Sequence, residues 1–109
     1  MLGAAGVPDI GHLFPDTDPA FKDASSMAIL AKVGEVVSGQ GWRVGNVDVS
    51  LIAERPRIAE HASAMRANIA RALGITPEQV SVKATTAEGL GPIGQGLGIE
   101  CHAVALLMK

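Results

Sequence analysis

Three short stretches of this sequence carry side chains suited to phosphate or metal chemistry. The first runs from Asp9 to Asp18 and sets three carboxylates, Asp9, Asp16 and Asp18, beside Thr17. Gly11 there lets backbone amides approach a ligand closely. The same stretch also reads as a solvated turn whose aspartates bond their own backbone. The second is Lys83-Ala84-Thr85-Thr86-Ala87-Glu88 at the end of an expected strand. Paired hydroxyls and exposed amides suit phosphate oxygens, and Glu88 is placed to reach a divalent ion carried by those phosphates. The plainer account is a strand end whose threonines serve β propensity. The third, Ala53-Glu54-Arg55-Pro56-Arg57-Ile58-Ala59, joins a strand to a helix and sets Arg55 and Arg57 beside a helix N-terminus. Amides and guanidinium groups at such an end attract anions; otherwise the segment is a solvated connector.

Other features offer less. Gly89, Gly91, Gly94, Gly96 and Gly98 lack the Lys-Ser/Thr of a P-loop and the strand-to-helix context of a dinucleotide fingerprint. They indicate a tight, irregular turn. His12, His61 and His102 fall in different elements with no i,i+4 pair, and Cys101 lies inside an apolar strand, where a thiol is inert. No Ser/His/Asp or Cys/His arrangement has recognisable local context. The residues alone therefore read as anion-friendly loops without a nucleophile, a pattern suited to binding phosphorylated small molecules.

The elements that must position these loops follow from periodicity. Asp23 or Ser25 is a good N-cap, and Ile29, Val33 and Val36 beside Leu30 and Val37 predict an amphipathic helix over 25–38 stopped by Gly39 or Gly41. Residues 44–53 alternate Val47, Val49 and Leu51 with Asn46, Asp48 and Ser50, a strand with one buried face. Ile58, Ala62, Met65, Ile69 and Leu73 trace a second helix closed by Gly74, and Thr76-Pro77 opens a short helical turn. Residues 80–86 and 99–108 read as the second and third strands, and residues 1–23 show no helix. The order is α+β: one domain over 1–109, a small mixed sheet with helices on one face.

Composition narrows the function classes. The 109 residues carry 9 basic and 11 acidic side chains, net −2, with no basic block, so nucleic acid is not an expected partner. One Trp, two Phe and no Tyr leave few aromatics to stack bases. The single cysteine excludes an internal disulfide framework and fits a reducing compartment. No apolar run approaches the roughly 20 residues of a membrane helix, and the apolar start lacks the basic region of a signal peptide. A cytoplasmic protein with no membrane partner is expected, or one of the plastid stroma in a plant-type source. At this size and apolar content, the core is expected to be completed in an oligomer.

Asp9-Ile10-Gly11, then Leu13-Phe14-Pro15-Asp16-Thr17-Asp18-Pro19, Gly45-Asn46-Val47-Asp48, Lys83-Ala84-Thr85-Thr86 with Glu88, and Ala103-Val104-Ala105-Leu106-Leu107 occur in an order and spacing that resembles the 2-C-methyl-D-erythritol 2,4-cyclodiphosphate synthase family. The resemblance covers essentially the whole chain. It implies a homotrimer of α+β subunits with active sites at the subunit interfaces. The implied reaction belongs to the non-mevalonate isoprenoid pathway: the 2-phosphate of a cytidine-linked methylerythritol diphosphate attacks the β-phosphorus, and CMP leaves. No protein nucleophile is needed, and catalysis rests on positioning and charge neutralisation. Family enzymes use zinc and a second divalent ion, magnesium or manganese.

Carried over by position, the resemblance implies that Asp9, Ile10 and Gly11 line the erythritol end of the substrate, continued by Phe14, Pro15, Asp16, Thr17 and Asp18. Ala53, Glu54, Arg55, Pro56, Arg57, Ile58 and Ala59 would hold the cytidine phosphates and base from the neighbouring subunit, with Arg57 where the family has a phosphate-binding lysine. Thr85 and Thr86 would grip the diphosphate, Thr86 as the catalytic residue stabilising the transition state. Ala87 stands in the substrate loop where a threonine is common. Glu88 would coordinate the second divalent ion through the substrate phosphates. Gln95, with Pro92, stands where the family often has an arginine and an aromatic near the trimer axis.

The family's zinc-binding Asp-x-His, its further histidine on the first helix and a nearby His-Ser pair have no counterpart in this sequence; His12 and His61 match non-ligand positions. The resemblance therefore implies the C-terminal two-thirds or so of a synthase domain, without its first strand and most of its first helix. Three readings remain open. The sequence is part of a complete synthase; or it is a zinc-less homologue that binds a nucleotide or diphosphate, or trimerises, without catalysis; or, lacking a strand, it exposes a sheet edge and aggregates.

Overall fold

The computed structural model describes residues 1–13, 25–55 and 57–109. Phe14, Pro15, Asp16, Thr17 and Asp18 of the expected substrate loop, the alternative cap Asp23, and Pro56 lie outside the described residues.

The sequence pattern predicts no helix over residues 1–23, yet Asp9 closes a short one, bonding nearby backbone as the solvated-turn reading expects. Its Oδ1 accepts the His12 amide at 3.1 Å, which caps the short helix α1, Ile10–Leu13. A carboxylate three residues ahead of a free amide is enough to close one turn. Helix α2, Ser26–Gly39, starts as expected: Ser25 is extended and its side chain accepts the Ala28 amide. The helix buries Val33 and Val37, and Leu2, Ile29, Val36, Trp42 and Leu107 complete that cluster. Val37 is only 1% exposed, a burial that stabilises the fold by about 1.5–3 kcal/mol.

Strand β1, Arg43–Ile52, is central in a three-stranded sheet. It pairs in parallel with β2, Val80–Thr85, and antiparallel with β3, Glu100–Met108. A parallel pair needs a crossover, supplied here by a 3-10 turn over Ile58–His61 and helix α3, Ala62–Leu73. The sequence pattern predicts one helix from Ile58 onward. Its first turn is instead a tighter 3-10 turn, entered from Arg57 without a side-chain capping bond. Gly74 ends α3 at φ 68, a conformation that favours glycine. Thr76 and Gln79 then form a capping box around the 3-10 turn Pro77–Gln79.

The alternation in β1 resolves as expected. Val47, Val49 and Leu51 are buried against Met65, Ile69 and Leu73 of α3. On the opposite face Asp48 receives Lys83 Nζ at 2.7 Å across the parallel pair. Strand β3 departs from a buried apolar run: Val104 is 72% and Leu106 53% exposed, since no described element covers its outer face. Cys101 stands opposite Leu51 on the other face, near the end of the strand, and is exposed as well, so burial does not render it inert. Short helix α4, Gly91–Gly94, gives the glycine run more order than an irregular turn. Among the described residues no helix is long and apolar enough to cross a membrane.

Candidate functional site

The register that pairs Ile52 with Thr85 brings the carboxyl ends of two parallel strands together. One further bond, from the Ala53 amide to the Thr85 carbonyl at 3.0 Å, extends the ladder past the strand. The segments leaving β1 and β2 therefore emerge side by side, the place where open parallel sheets bind ligands. Glu54, Arg57, Ile58, Ala59, Glu60, Ala84, Thr85 and Thr86 line a cavity there of about 410 Å³. Two of the three expected anion-binding stretches thus form one site within a single chain.

The cavity mixes charges. The Arg57 guanidinium stands 3.9 Å from the Glu60 carboxylate, both well exposed, so the cation is held loosely and is available to an anion. The uncapped amides opening the Ile58–His61 turn add partial positive charge beside it. Glu60 is a lining residue that sequence reasoning missed, though its i,i+3 spacing from Arg57 was a local signal for it. Ala84, inside the second expected stretch, lines the cavity too.

Beyond the cavity the chain turns through residues 86–89. The Thr86 hydroxyl oxygen accepts the Glu88 amide at 3.2 Å. That leaves the hydroxyl proton free to donate to a ligand oxygen. Thr85 turns its hydroxyl to the Thr86 carbonyl at 3.4 Å. Glu88 adopts φ 54, a left-handed conformation costing roughly 1–2 kcal/mol for a residue with a Cβ. Such strain persists only where surrounding structure imposes it. Here the imposition comes from Glu54, whose Oε1 accepts the Ala87 amide at 2.8 Å and the Gly89 amide at 3.2 Å.

Other expected site residues fall elsewhere. Ala53 is buried. Arg55 extends over Gly96, where an added Cβ would lie 3.8 Å from its Nη2. Gln95 follows α4 as its C-cap, outside the cavity lining. Asp9 and Ile10 line a different space, an apolar cleft of about 450 Å³ reaching Leu2, Leu30, Val33, Val47, Ile69 and Ala105. The chain does not bring Asp9, Ile10 or Gly11 to the walls shared by Thr85 and Thr86. The Asp9 carboxyl is held below its ordinary value, first by the hydrogen bond from the His12 ring and then by the His12 amide; ring Nδ1 and Oδ1 are 2.9 Å apart.

Metal-binding capacity is limited. Among the described residues no group of three or more His, Cys, Asp and Glu could hold an ion. A catalytic zinc needs about three protein ligands, so the described residues do not fit zinc. Glu88 alone fits a different demand: magnesium or manganese riding on substrate phosphates takes only one or two carboxylates.

Comparison with known proteins places these features among relatives. The model of the YgbB family matches residues 1–108. The chain is 56% identical over 109 residues to the bifunctional enzyme IspD/IspF of Anaeromyxobacter sp. strain Fw109-5, covering 100% of this chain and 28% of that protein. It is 53% identical over 109 residues to the 2-C-methyl-D-erythritol 2,4-cyclodiphosphate synthase of Pseudomonas syringae pv. syringae, covering 100% of this chain and 69% of that one. Among solved structures, the Plasmodium falciparum IspF CDP complex matches with a TM-score of 0.83 and 37% identity, over 98% of this chain and 64% of that one. The chain thus spans well under the whole length of the relatives it matches.

Proposed function

The chain belongs to the YgbB family, and from that membership we propose that its site serves the cyclisation of 4-diphosphocytidyl-2-C-methyl-D-erythritol 2-phosphate to 2-C-methyl-D-erythritol 2,4-cyclodiphosphate, a phosphorus–oxygen lyase reaction of non-mevalonate isoprenoid synthesis. An oxygen of the 2-phosphate attacks the β-phosphorus. The bond from that phosphorus to the bridging oxygen of the α-phosphate breaks, and CMP carries the oxygen away. The observation carrying this reading is the cavity that brings Glu54 and residues 57–60 together with Thr85 and Thr86.

The residues divide the work by chemistry. Arg57 and the amides opening the Ile58–His61 turn neutralise the cytidine phosphates. Ile58 and Ala59 form the wall against the base, consistent with a relative solved in complex with CDP. Thr86 donates its free hydroxyl proton to the oxygens of the phosphoryl group in transfer, a bond that strengthens as charge gathers there. Glu88 supplies a carboxylate to a magnesium or manganese ion, which when bound draws charge off the phosphates. Zinc, which the family resemblance implies, is assigned no step here.

The reading extends to assembly. Asp9, Ile10 and Gly11, with Phe14, Pro15, Asp16, Thr17 and Asp18, contact the erythritol end from a neighbouring subunit of a homotrimer. The exposed Val104 and Leu106 on β3 support self-association. The deciding experiment mixes the full-length protein with the cytidine-linked substrate and magnesium, following CMP by chromatography and the cyclic diphosphate by phosphorus NMR. CMP release with a cyclic product is expected. CDP binding without CMP release would mean a nucleotide-binding protein instead.

A further inference from the structure

We infer that Glu54 is a positioning residue that holds the 86–89 turn in its working geometry, rather than a group that meets the substrate. The inference rests on the proposed cyclisation, because the turn matters through Thr86 and Glu88. Among the described residues, the hydrogen bonds tying amides 87 and 89 to another part of the chain both end on Glu54 Oε1. The other bonds of this turn are internal: Glu88 amide to Thr86 Oγ1, and Leu90 amide to the Ala87 carbonyl.

Thr86 and Glu88 flank Ala87, so fixing the amides of 87 and 89 sets the direction of both side chains. One oxygen clamps two donors, so reach and an acceptor oxygen are what the clamp requires. The clamp also accounts for the left-handed Glu88, which needs support from outside its own segment. Glu54 is half-buried at the cavity wall. A second carboxylate turned toward a diphosphate would repel it; turned into the backbone, it serves the site by orientation.

Three variants of the full-length protein test this. Glu54→Met keeps the length of the side chain and removes the acceptor. Glu54→Gln keeps a carbonyl oxygen able to accept both amides and removes the charge. Glu54→Asp keeps the charge but is one methylene too short to span the gap. CMP release is measured against substrate and manganese concentration. Glu54→Met is expected to lower kcat by about 10- to 100-fold, the scale seen when supporting groups around a site are lost, with KM changed by no more than about threefold. Its manganese requirement rises as Glu88 is freed. Glu54→Gln is expected to recover most of the lost kcat, and Glu54→Asp is not. If Glu54→Met does not fold, the contrast between Gln and Asp carries the test alone. Loss in Glu54→Gln equal to that in Glu54→Met, or full activity in Glu54→Asp, would show that charge matters rather than reach, and the positioning role would fall. Wild-type CMP release with an unaffected Glu54→Met also overturns it. No release by the wild type overturns the proposed function, and this inference with it.

Discussion

Replacing Gly94 with alanine would place a Cβ 2.8 Å from both the Cα and the carbonyl oxygen of Gly89, with the carbonyl carbon closer still. Ordinary contact begins near 3.4 Å, so the Gly89 Cα and carbonyl oxygen have to retreat by about 0.6 Å, and the carbonyl carbon by more, to admit the methyl group. Two effects then compete. Alanine at an unstrained position stabilises by about 0.4–1 kcal/mol through the unfolded chain. Overpacking against backbone costs about 1–3 kcal/mol, and no flexible side-chain end is available here to move aside. The clash wins, and a domain of this size loses about 4–8 °C in Tm for each kcal/mol. Activity suffers as well. Gly89 follows Glu88 directly and donates one of the two amides held by Glu54. Misplacement of about 1 Å is worth up to about 100-fold in rate, so a shift of this size should lower kcat by about tenfold. Gly98→Ala is the control, since a Cβ there meets nothing within 4 Å. Circular-dichroism melts and steady-state CMP release on both variants are the assays. A Gly94→Ala protein that melts at or above the wild type, with unchanged kcat, would refute the close packing of residue 94 on the turn and the argument built on it.

Further expectations concern other parts of the molecule. Thr86→Val should reduce turnover far more than substrate affinity, and equal losses in both would remove Thr86 from the transition-state role. Because His12 holds the Asp9 carboxyl below its ordinary value, its capping contribution is fully present above the ordinary carboxylate range and is lost as pH falls through the lowered value. A carbon-detected NMR titration should show the Asp9 midpoint below that of an unperturbed aspartate, returning toward it in His12→Ala; an unshifted wild-type midpoint counts against the contact. Arg66 donates from Nε to the Val80 carbonyl at 2.8 Å and from Nη2 to the Pro77 carbonyl at 3.0 Å. Arg66→Met should therefore cost about 1–3 kcal/mol in a denaturant melt by stranding those acceptors, and an unchanged midpoint would show that water replaces it freely.

The elements themselves were legible in the sequence because each depends on neighbours a few residues away. The stepping of Ile29, Val33 and Val37 encodes α2, and the alternation of Val47, Val49 and Leu51 encodes β1. Ser25 and Gly74 mark helix ends through bonds and φ values that involve only the adjoining turn. The helical turn opened by Thr76-Pro77 is equally local. Asp9 shows the limit even at short range, since its capping of α1 competes with the extended preference of the surrounding loop.

Tertiary structure decided which of these elements meet. Residues 53–59 and 85–88 carry suitable chemistry separately, but nothing local reveals that Ile52 pairs with Thr85; sheet register is settled by burying whole faces at once. The partners of Glu54 lie 33 and 35 positions away, and a carboxylate near two arginines reads equally well as an ion-pair or ligand group. The glycine run indicates a tight, irregular turn in the sequence; the close approach of the Gly94 and Gly89 backbones belongs to the folded chain. Residue types and local periodicity thus settled what chemistry this chain can offer. The packing of α3 beneath a parallel strand pair settled where that chemistry converges, because long-range contacts follow from burial summed over the sheet rather than from any single residue.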